Sequence, residues 1–372
     1  MRKKHIGILL LIVILSAYLL MQYVNKEPIY IGFGAGLSGQ WSQLGVQVRN
    51  GFLQAVEDIN AEGGINGREV IPVIMDDKND NAHTIELIGE MDKKDIQYFV
   101  GFTVSSMTPS IDQLMTTTEL MVFSPTMSTN SLIGIDDRFL RVCNASSFEA
   151  ESLLSLLSQD GRKDVAIVYD SSNQPYTQPI RNIIVGSAEV HGLNLVYDEE
   201  FNSKTIKYSD LVMRMLSKEP EQIVIVASGI DTAEIAQQIR KEGSDALLYA
   251  SAWATTNDLL ENGGRAVNGM RVNGLYDINS NNPKYLAFKS KMINAFGDDP
   301  TFPQIFGYES LQIIKEGIES ADSYEVDAVK AAIISKGRFQ GLQNDILIDE
   351  YGDAHRPYYG YIVEDGQFRS MK

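Results

Sequence analysis

Cysteine and histidine are scarce in this sequence, and their scarcity excludes two kinds of stabilisation. The 372 residues include a single cysteine, Cys143, so no disulfide can form within the chain and a hydrophobic core must hold the fold. The 4 histidines are scattered, and no cluster of Cys and His has the spacing of a metal site. We therefore expect a fold that depends on its core and that binds no metal.

Basic residues are also in the minority. The chain has 32 Lys and Arg against 49 Asp and Glu, which gives a formal net charge of −17 at pH 7. Because a protein that binds nucleic acid needs a basic face, we expect no nucleic-acid partner. An acidic surface is compatible with a soluble extracytoplasmic protein, and it indicates little more about function.

Long hydrophobic runs are missing except at the amino terminus. The segment 6–24 contains no charged residue, follows the basic sequence MRKK and is long enough to span a bilayer. The basic residues predict that the amino terminus stays in the cytoplasm and that the rest lies outside. A cleaved signal peptide is the alternative for residues 1–28, but the small-residue site at 16–17 falls in the middle of the apolar run. We favour a retained transmembrane helix that tethers the protein.

Strand-like runs alternate with amphipathic helices from residue 29 onwards. A strand at 29–33, for example, is followed by apolar residues at helical spacing between Leu44 and Ile59. The alternation restarts near residue 138, which predicts an α/β fold with two similar lobes, each a doubly wound parallel sheet covered by helices on both faces. Because no Pro-rich or low-complexity linker separates the lobes, we expect several short crossings that form a hinge.

The stretch 101–130 contains two strand ends in quick succession, and each is followed by hydroxyl side chains. In a parallel sheet such turns meet at the carboxyl edge, where α/β folds bind ligands. Free backbone N–H groups and hydroxyls at these turns suit an anionic group such as a carboxylate. Each cluster alone could be no more than a helix N-cap, but two in register favour a site. The residues concerned are Thr103, Ser105, Ser106, Thr108, Ser124, Thr126, Ser128 and Thr129.

Two other motifs suggest a cofactor or a metal, and neither has the right context. Residues 34–39 match G-x-G-x-x-G after a strand, but no helix begins within the motif and the next strand ends too far away, at Asp76. We therefore expect no dinucleotide cofactor. Asp76, Asp77 and Asp80 are not followed by a glycine-rich calcium loop, so they are better explained as a strand end and a helix cap than as metal ligands.

The second predicted lobe offers three further candidates. Tyr176 stands at the head of a helix, and Asp231 follows a strand and starts another. Asp231 is either a plain helix cap or a carboxylate that faces the cleft and pairs with a ligand ammonium. Trp253, like Trp41 in the first lobe, follows a strand, so both either pack within their own lobes or wall a ligand pocket.

Six stretches together carry a family resemblance that covers the chain from about Ile29 to its end. They are GLSGQWSQLGVQVRNGFLQAVEDINAEGGINGREV, MDDKND, VGFTVSS, FSPTMSTNSL, VAIVYDSSNQPYTQPI and ALLYASAWATTNDLLENGGRAVNGM. The sequence resembles the leucine/isoleucine/valine-binding proteins, which are type I periplasmic binding proteins of branched-chain amino acid ABC transporters. The resemblance implies a Venus flytrap with three crossings. We expect lobe 1 at 29–143 plus 276–356 and lobe 2 at 144–275 plus 357–372.

The resemblance also implies roles for individual residues. Ser105 matches a serine that contacts the ligand, while Thr126 and Ser128 match the positions that hold its α-carboxylate. Tyr176 matches a tyrosine of the second lobe. Trp253 stands about where leucine-binding members carry the glutamate that takes the ammonium, so Asp231 is expected to take over that role. Ser106 completes the expected set of ligand contacts, together with Trp41.

These observations favour a binding protein over an enzyme. No Ser lies in a G-x-S-x-G motif, and no His stands where it could activate Ser105 or Ser128. We expect a monomeric, extracytoplasmic protein that captures an amino acid and delivers it to an ABC permease in the membrane. Trp41, Tyr176 and Trp253 predict an apolar wall, and hence a neutral, hydrophobic amino acid. The alternative is a membrane-tethered sensor ectodomain for a small ligand.

Overall fold

A computed structural model describes residues 26–297 and 299–371 of the chain. The predicted transmembrane segment 6–24 lies outside these residues. Within the described ranges, no helix combines the length and the apolar character that crossing a bilayer requires.

The first sheet is five-stranded and parallel, and its strand order is β2-β1-β3-β4-β5. The pairing of β3 with β4 places Val100 beside Phe123, so the two chains leave the sheet side by side at the same edge. Strands and helices of this part are β1 (Ile29–Ala35), α1 (Ser42–Ala61), β2 (Val70–Asp76), α2 (Asn81–Lys93), β3 (Tyr98–Val100), α3 (Thr108–Thr117), β4 (Met121–Ser124) and β5 (Phe139–Arg141).

A second α/β unit follows along the chain. Its strands β6 to β10 pair in parallel, and each is separated from the next by at least one helix. The elements are α4 (Ser146–Ser158), β6 (Asp164–Asp170), α5 (Gln174–Ser187), β7 (Asn194–Phe201), α6 (Tyr208–Leu216), β8 (Gln222–Val226), α7 (Gly229–Lys241), β9 (Leu247–Ala250), α8 (Asn257–Gly263) and β10 (Arg271–Gly274).

The chain then returns to the first unit before ending in the second. Helix α10 packs closely against α1, since a Cβ on Gly307 would lie 2.2 Å from the carbonyl oxygen of Val48. The returning elements are α9 (Pro283–Phe296), α10 (Phe302–Ala321), α11 (Val326–Lys336) and a small sheet of β11 (Arg338–Gln340), β12 (Asp345–Ile348) and β13 (Ala354–His355). The last strands, β14 (Tyr359–Glu364) and β15 (Gln367–Ser370), complete the second sheet in the order β15-β14-β10-β9-β8-β6-β7.

The prediction of two α/β lobes with parallel sheets is confirmed. Among the described residues, the antiparallel strand pairings are β10 with β14 and β14 with β15, at the edge of the second sheet, and those within the small sheet of β11, β12 and β13. Three segments connect the lobes: one between β5 and α4, one between β10 and α9, and one between β13 and β14. The exact lobe boundaries stay a prediction.

Side-chain amides join these connecting segments to neighbouring backbone. Asn144 accepts a hydrogen bond from the N–H of Arg356 and donates one to its carbonyl, both at 2.7 Å. Gln343 makes the same reciprocal pair with the backbone of Asp277, at 2.8 and 2.9 Å. Each amide therefore satisfies both the N–H and the C=O of a residue that lies outside helices and strands. These side-chain hydrogen bonds hold the connecting segments in place.

Candidate functional site

A small cavity lies between the two lobes, at the carboxyl ends of their parallel strands. This is the edge at which α/β sheets bind ligands. Both lobes and the connecting segments contribute to its wall. The lining residues are Leu44, Thr103, Val104, Ser105, Thr126, Ser128, Glu149, Asn173, Tyr176, Ala252, Trp253, Leu275, Phe302 and Tyr358.

The first lobe supplies a wall of hydroxyl groups and backbone from the turns after β3 and β4. The backbone N–H of Ser128 donates to Oγ of Ser105 at 3.0 Å, and the hydroxyl of Thr126 donates to the carbonyl of Thr103 at 2.7 Å. These bonds tie the two turns together. Because Ser105 Oγ is an acceptor in this contact, its own proton stays available for a ligand oxygen. The structure thus brings Ser105, Thr126 and Ser128 together, as the sequence predicts.

Unlike Ser105, Ser106 does not line the cavity. Its backbone N–H donates to Oδ1 of Asn173 in the second lobe at 2.8 Å. Nearby, Nε2 of Gln40 donates to Oγ of Ser203 at 2.6 Å, which is another contact between the lobes. Because these hydrogen bonds join the two lobes, the cleft is closed in this structure. Ser106 contributes to the closed state through its backbone N–H.

Among the described residues that line the cavity, the one carboxylate is Glu149 of the second lobe, on the first turn of α4. Its side chain is buried, and the residue is only 2% exposed. The hydroxyl of Tyr176 donates to Oε2 at 2.8 Å, and the backbone N–H of Ala252 donates to Oε1 at 2.5 Å. Burial raises the pKa of Glu149 to about 7, although both hydrogen bonds act in the opposite direction.

Sequence reasoning missed Glu149, although its position carried a signal. Glu149, Leu153 and Leu157 are spaced by four residues and lie on the same face of α4, and all three are buried. A carboxylate in a row of leucines predicts a charge that points inward. Buried carboxylates outside ion pairs are uncommon and often mark a site, so the spacing indicates this helix face as a candidate site.

Asp231, expected to receive the ligand ammonium, does not lie in this cavity. It lines a separate, open pocket with Lys78, Tyr208 and Glu234. Its carboxylate accepts hydrogen bonds from the hydroxyls of Tyr208 at 2.6 Å and Ser228 at 2.5 Å. Ser228 also caps the start of α7 by accepting from the N–H of Asp231. The placement therefore corrects the expectation: Asp231 belongs to the helix start, and the cavity has a different carboxylate.

The three predicted aromatic residues contact one another in the order Trp41, Trp253 and Tyr176, and two of them line the cavity. Tyr176 and Trp253 line the cavity and meet edge to face, with ring centroids 5.7 Å apart. Trp41 of the first lobe is not in the lining but packs edge to face on Trp253 of the second lobe at 5.2 Å. Such pairs are favourable geometries for aromatic rings. The two tryptophans therefore touch across the closed cleft.

Comparisons with known proteins agree with this architecture. A family model described as periplasmic binding protein matches residues 28–367. The Leu/Ile/Val-binding protein homolog 1 of Brucella suis is 23% identical over 339 residues, which cover 90% of this chain and 89% of that protein. The Leu/Ile/Val/Thr-binding protein of Salmonella typhimurium is 22% identical and covers 88% of each chain.

Solved structures with the same fold differ in what they bind. A leucine-binding protein of Thermotoga maritima superposes with a TM-score of 0.84 at 22% identity, covering 92% of this chain and 98% of that one. An isoleucine complex from Streptococcus pneumoniae gives 0.84 at 18% identity, with the same coverage. A benzoate complex of a solute-binding protein from R. palustris gives 0.84 at 14% identity, covering 92% and 95%. The chain belongs to the periplasmic binding protein family and has the two-lobed fold of its type I members.

Proposed function

We propose that this protein is an extracytoplasmic substrate-binding protein that captures a neutral, hydrophobic amino acid and delivers it to an ABC permease. The observation that carries the proposal is the composition of the closed cavity. One wall offers hydroxyls and backbone at two strand ends, the other offers a single carboxylate, and apolar side chains lie between them. This arrangement matches the three parts of an α-amino acid.

Each part of the amino acid has a partner of suitable chemistry. The α-carboxylate is bound by the hydroxyls of Ser105 and Ser128 and by the backbone of their turns. The α-ammonium pairs with Glu149, since a buried ammonium without a partner is strongly disfavoured. The side chain packs against Leu44 and Phe302, both buried and apolar. Ligand contact with both lobes favours the closed state over the open one.

The partners and location follow from the family and from the amino terminus. Relatives named for binding leucine, isoleucine and valine, and a structure described as an amino-acid transporter subunit, support a permease as partner. Segment 6–24 is proposed as the anchor that tethers a monomer outside the cytoplasm. Retention with membranes after a carbonate wash tests the anchor, and a soluble form that starts near residue 29 would show cleavage instead.

A thermal-shift panel of amino acids tests the ligand. At a ligand concentration of about 100 Kd, a single-site ligand stabilises the folded protein by ~2.7 kcal/mol, so a true ligand is easily detected. Leucine, isoleucine, valine and phenylalanine are expected to raise the melting temperature. The matched controls are the same molecules without the amino group. The proposal would be contradicted if these acids or benzoate stabilised the protein at pH 8 and no amino acid did.

A further inference from the structure

Glu149 differs from the other groups that line the cavity in one respect: it can change its charge. Among the lining residues that the structure describes, no Lys, Arg or His stands near it to fix that charge. Both oxygens of its carboxylate already accept one hydrogen bond, from Tyr176 and from the backbone of Ala252. The carboxylate is thus held in place in the cavity wall without a permanent counter-charge.

The other titratable groups around the cavity do not respond in the same pH range. Helix α5 presents Tyr176 and the third connecting segment presents Tyr358, and burial raises the pKa of both hydroxyls well above the usual value. Below pH 9 both tyrosines therefore stay neutral. From β10, the neutral amide of Asn273 donates to the backbone carbonyl of Glu149.

The nearby buried charges are already neutralised by each other. Arg356 pairs with Glu309 at 2.6 Å, and Arg141 pairs with Asp353 at the same distance. None of these four residues lines the cavity. The net charge of the cavity wall is therefore set by Glu149 alone.

We infer that the protonation state of Glu149 selects between two classes of ligand, amino acids when it is ionised and monocarboxylic acids without an amino group when it is protonated. The inference rests on the proposed function and extends it to specificity. An ionised Glu149 attracts an ammonium and repels a second carboxylate in a cavity of low dielectric. A protonated Glu149 leaves an ammonium unpaired but accepts an apolar acid, because the hydroxyl wall can still bind its carboxylate.

The change in ligand preference is expected near neutral pH, because burial in the closed cleft raises the pKa of Glu149 to about 7. An ammonium that binds the ionised form lowers that pKa in the complex. Below pH 7, amino-acid binding must therefore release a proton, and the apparent affinity falls about tenfold for each unit of pH. A monocarboxylate shows the opposite dependence, since it binds the protonated form.

Calorimetry with a matched ligand pair tests this selection. The full-length chain is titrated with L-leucine and with 4-methylpentanoate, which is leucine without its amino group, at pH 8.0 and 5.5. For the wild type, leucine binding is expected to weaken about thirtyfold between pH 8.0 and pH 5.5, whereas 4-methylpentanoate binding is expected to strengthen only about tenfold, because about one tenth of Glu149 is still protonated at pH 8.0. Titrations at pH 6 in two buffers of different ionisation enthalpy are expected to show release of nearly one proton with leucine.

Two variants assign the effect to Glu149. Glu149→Gln is expected to bind leucine weakly and 4-methylpentanoate well, with no difference between the two pH values. Asp231→Asn removes a carboxylate outside the cavity and is expected to keep the wild-type pH dependence. Circular dichroism of each variant at both pH values confirms that it is folded.

The outcomes separate the inference from the proposed function. Leucine binding that is equally tight at pH 8.0 and 5.5, or a pH dependence that persists in Glu149→Gln, would overturn the inference while leaving the amino-acid assignment intact. Binding of 4-methylpentanoate at pH 8.0 without binding of leucine would reject both.

Discussion

The two walls of the cavity recognise a ligand by different means. The first-lobe wall consists of hydroxyls and backbone groups around Ser105 and Ser128, none of which titrates near neutral pH. The second-lobe wall contains Glu149, Tyr176 and Trp253, and so it combines a titratable charge with aromatic surface. Preorganised dipoles bind an anion at any physiological pH, whereas a buried carboxylate binds a cation only when it is ionised. Under the proposed function, this difference places selectivity in the second lobe.

The largest expected effect is the loss of the second-lobe carboxylate. Glu149→Gln should cost about 2 to 5 kcal/mol of amino-acid binding at pH 8, because the ligand ammonium then lies buried without a charged partner. Asp231→Asn is the matched control and should change affinity little, since Asp231 lies outside the cavity. Calorimetry measures both. If the Asp231 variant lost more affinity than the Glu149 variant, the assignment of the two carboxylates would have to be exchanged.

The charge of Glu149 should also be visible in the stability of the empty protein. Its pKa is raised from the usual 4.5 to about 7, so the contribution of this one group to stability is fully present below pH 4.5 and is lost as the pH rises towards 7. As the pH rises from 4.5 to 7, the free energy of unfolding should fall by roughly 2 to 3 kcal/mol and then level off. Urea unfolding across this range measures the decrease, and Glu149→Gln should remove the part of it that this carboxylate contributes.

Another buried carboxylate, Asp77, also contributes to this pH dependence, so the measurement needs a variant without it. Asp77 is fully buried in the first lobe, and burial raises its pKa to about 7 as well. The pH series is therefore best compared between Asp77→Asn and the double variant Asp77→Asn/Glu149→Gln. If the free energy of unfolding changed with pH by the same amount in both proteins, Glu149 would have its ordinary pKa in the folded state. That result would contradict the role of Glu149 as a group of the second-lobe wall that titrates near neutral pH.

The first-lobe wall should be less sensitive to a single substitution. Ser128→Ala should reduce amino-acid affinity by about 1 to 2 kcal/mol, because the backbone groups of the turn still bind the carboxylate. The effect should be the same at pH 8 and pH 6, when each is compared with the wild type at that pH. Ser106→Ala is the control, since only its backbone takes part in the observed contact. A loss of affinity in Ser128→Ala that depends on pH would contradict the assignment of the titratable group to the second-lobe wall alone.

The smallest effect is expected where the lobes touch. Trp41→Ala removes an aromatic pair that joins the two lobes in the closed cleft and that is worth about 0.5 to 1.5 kcal/mol beyond the area it buries. Affinity should fall by about this amount, mainly through faster dissociation measured by stopped flow. Val190→Ala, a substitution on an exposed surface of the second lobe, should leave the rates unchanged.

The first-lobe wall was predictable because it is local in sequence. Strands β3 and β4 and the turns that follow them are consecutive within 98–130, and parallel pairing of Val100 with Phe123 brings the turns together without information from elsewhere in the chain. The β–α alternation likewise follows from hydrophobic patterns, which is why the two lobes could be predicted.

The second-lobe wall is assembled from distant segments, and that is where the prediction failed. Glu149 and Asp231 are both acidic residues in the first turn of a helix, so their local sequences look alike. They differ in what packs around them: Glu149 meets Tyr176 and the turn at Ala252, whereas Asp231 meets Tyr208. Only the tertiary arrangement distinguishes a carboxylate that faces a cavity from one at a helix cap.

The contact between Trp41 and Trp253 gives the protein an optical signal of its own. These are the 2 tryptophans of the whole chain, and each belongs to a different lobe. When the cleft opens, the two indoles lose their contact with each other and gain water at the same time, while Trp253 keeps its contact with Tyr176. Tryptophan emission and near-ultraviolet circular dichroism therefore report the distance between the lobes without a label, and no other tryptophan contributes a background to either spectrum.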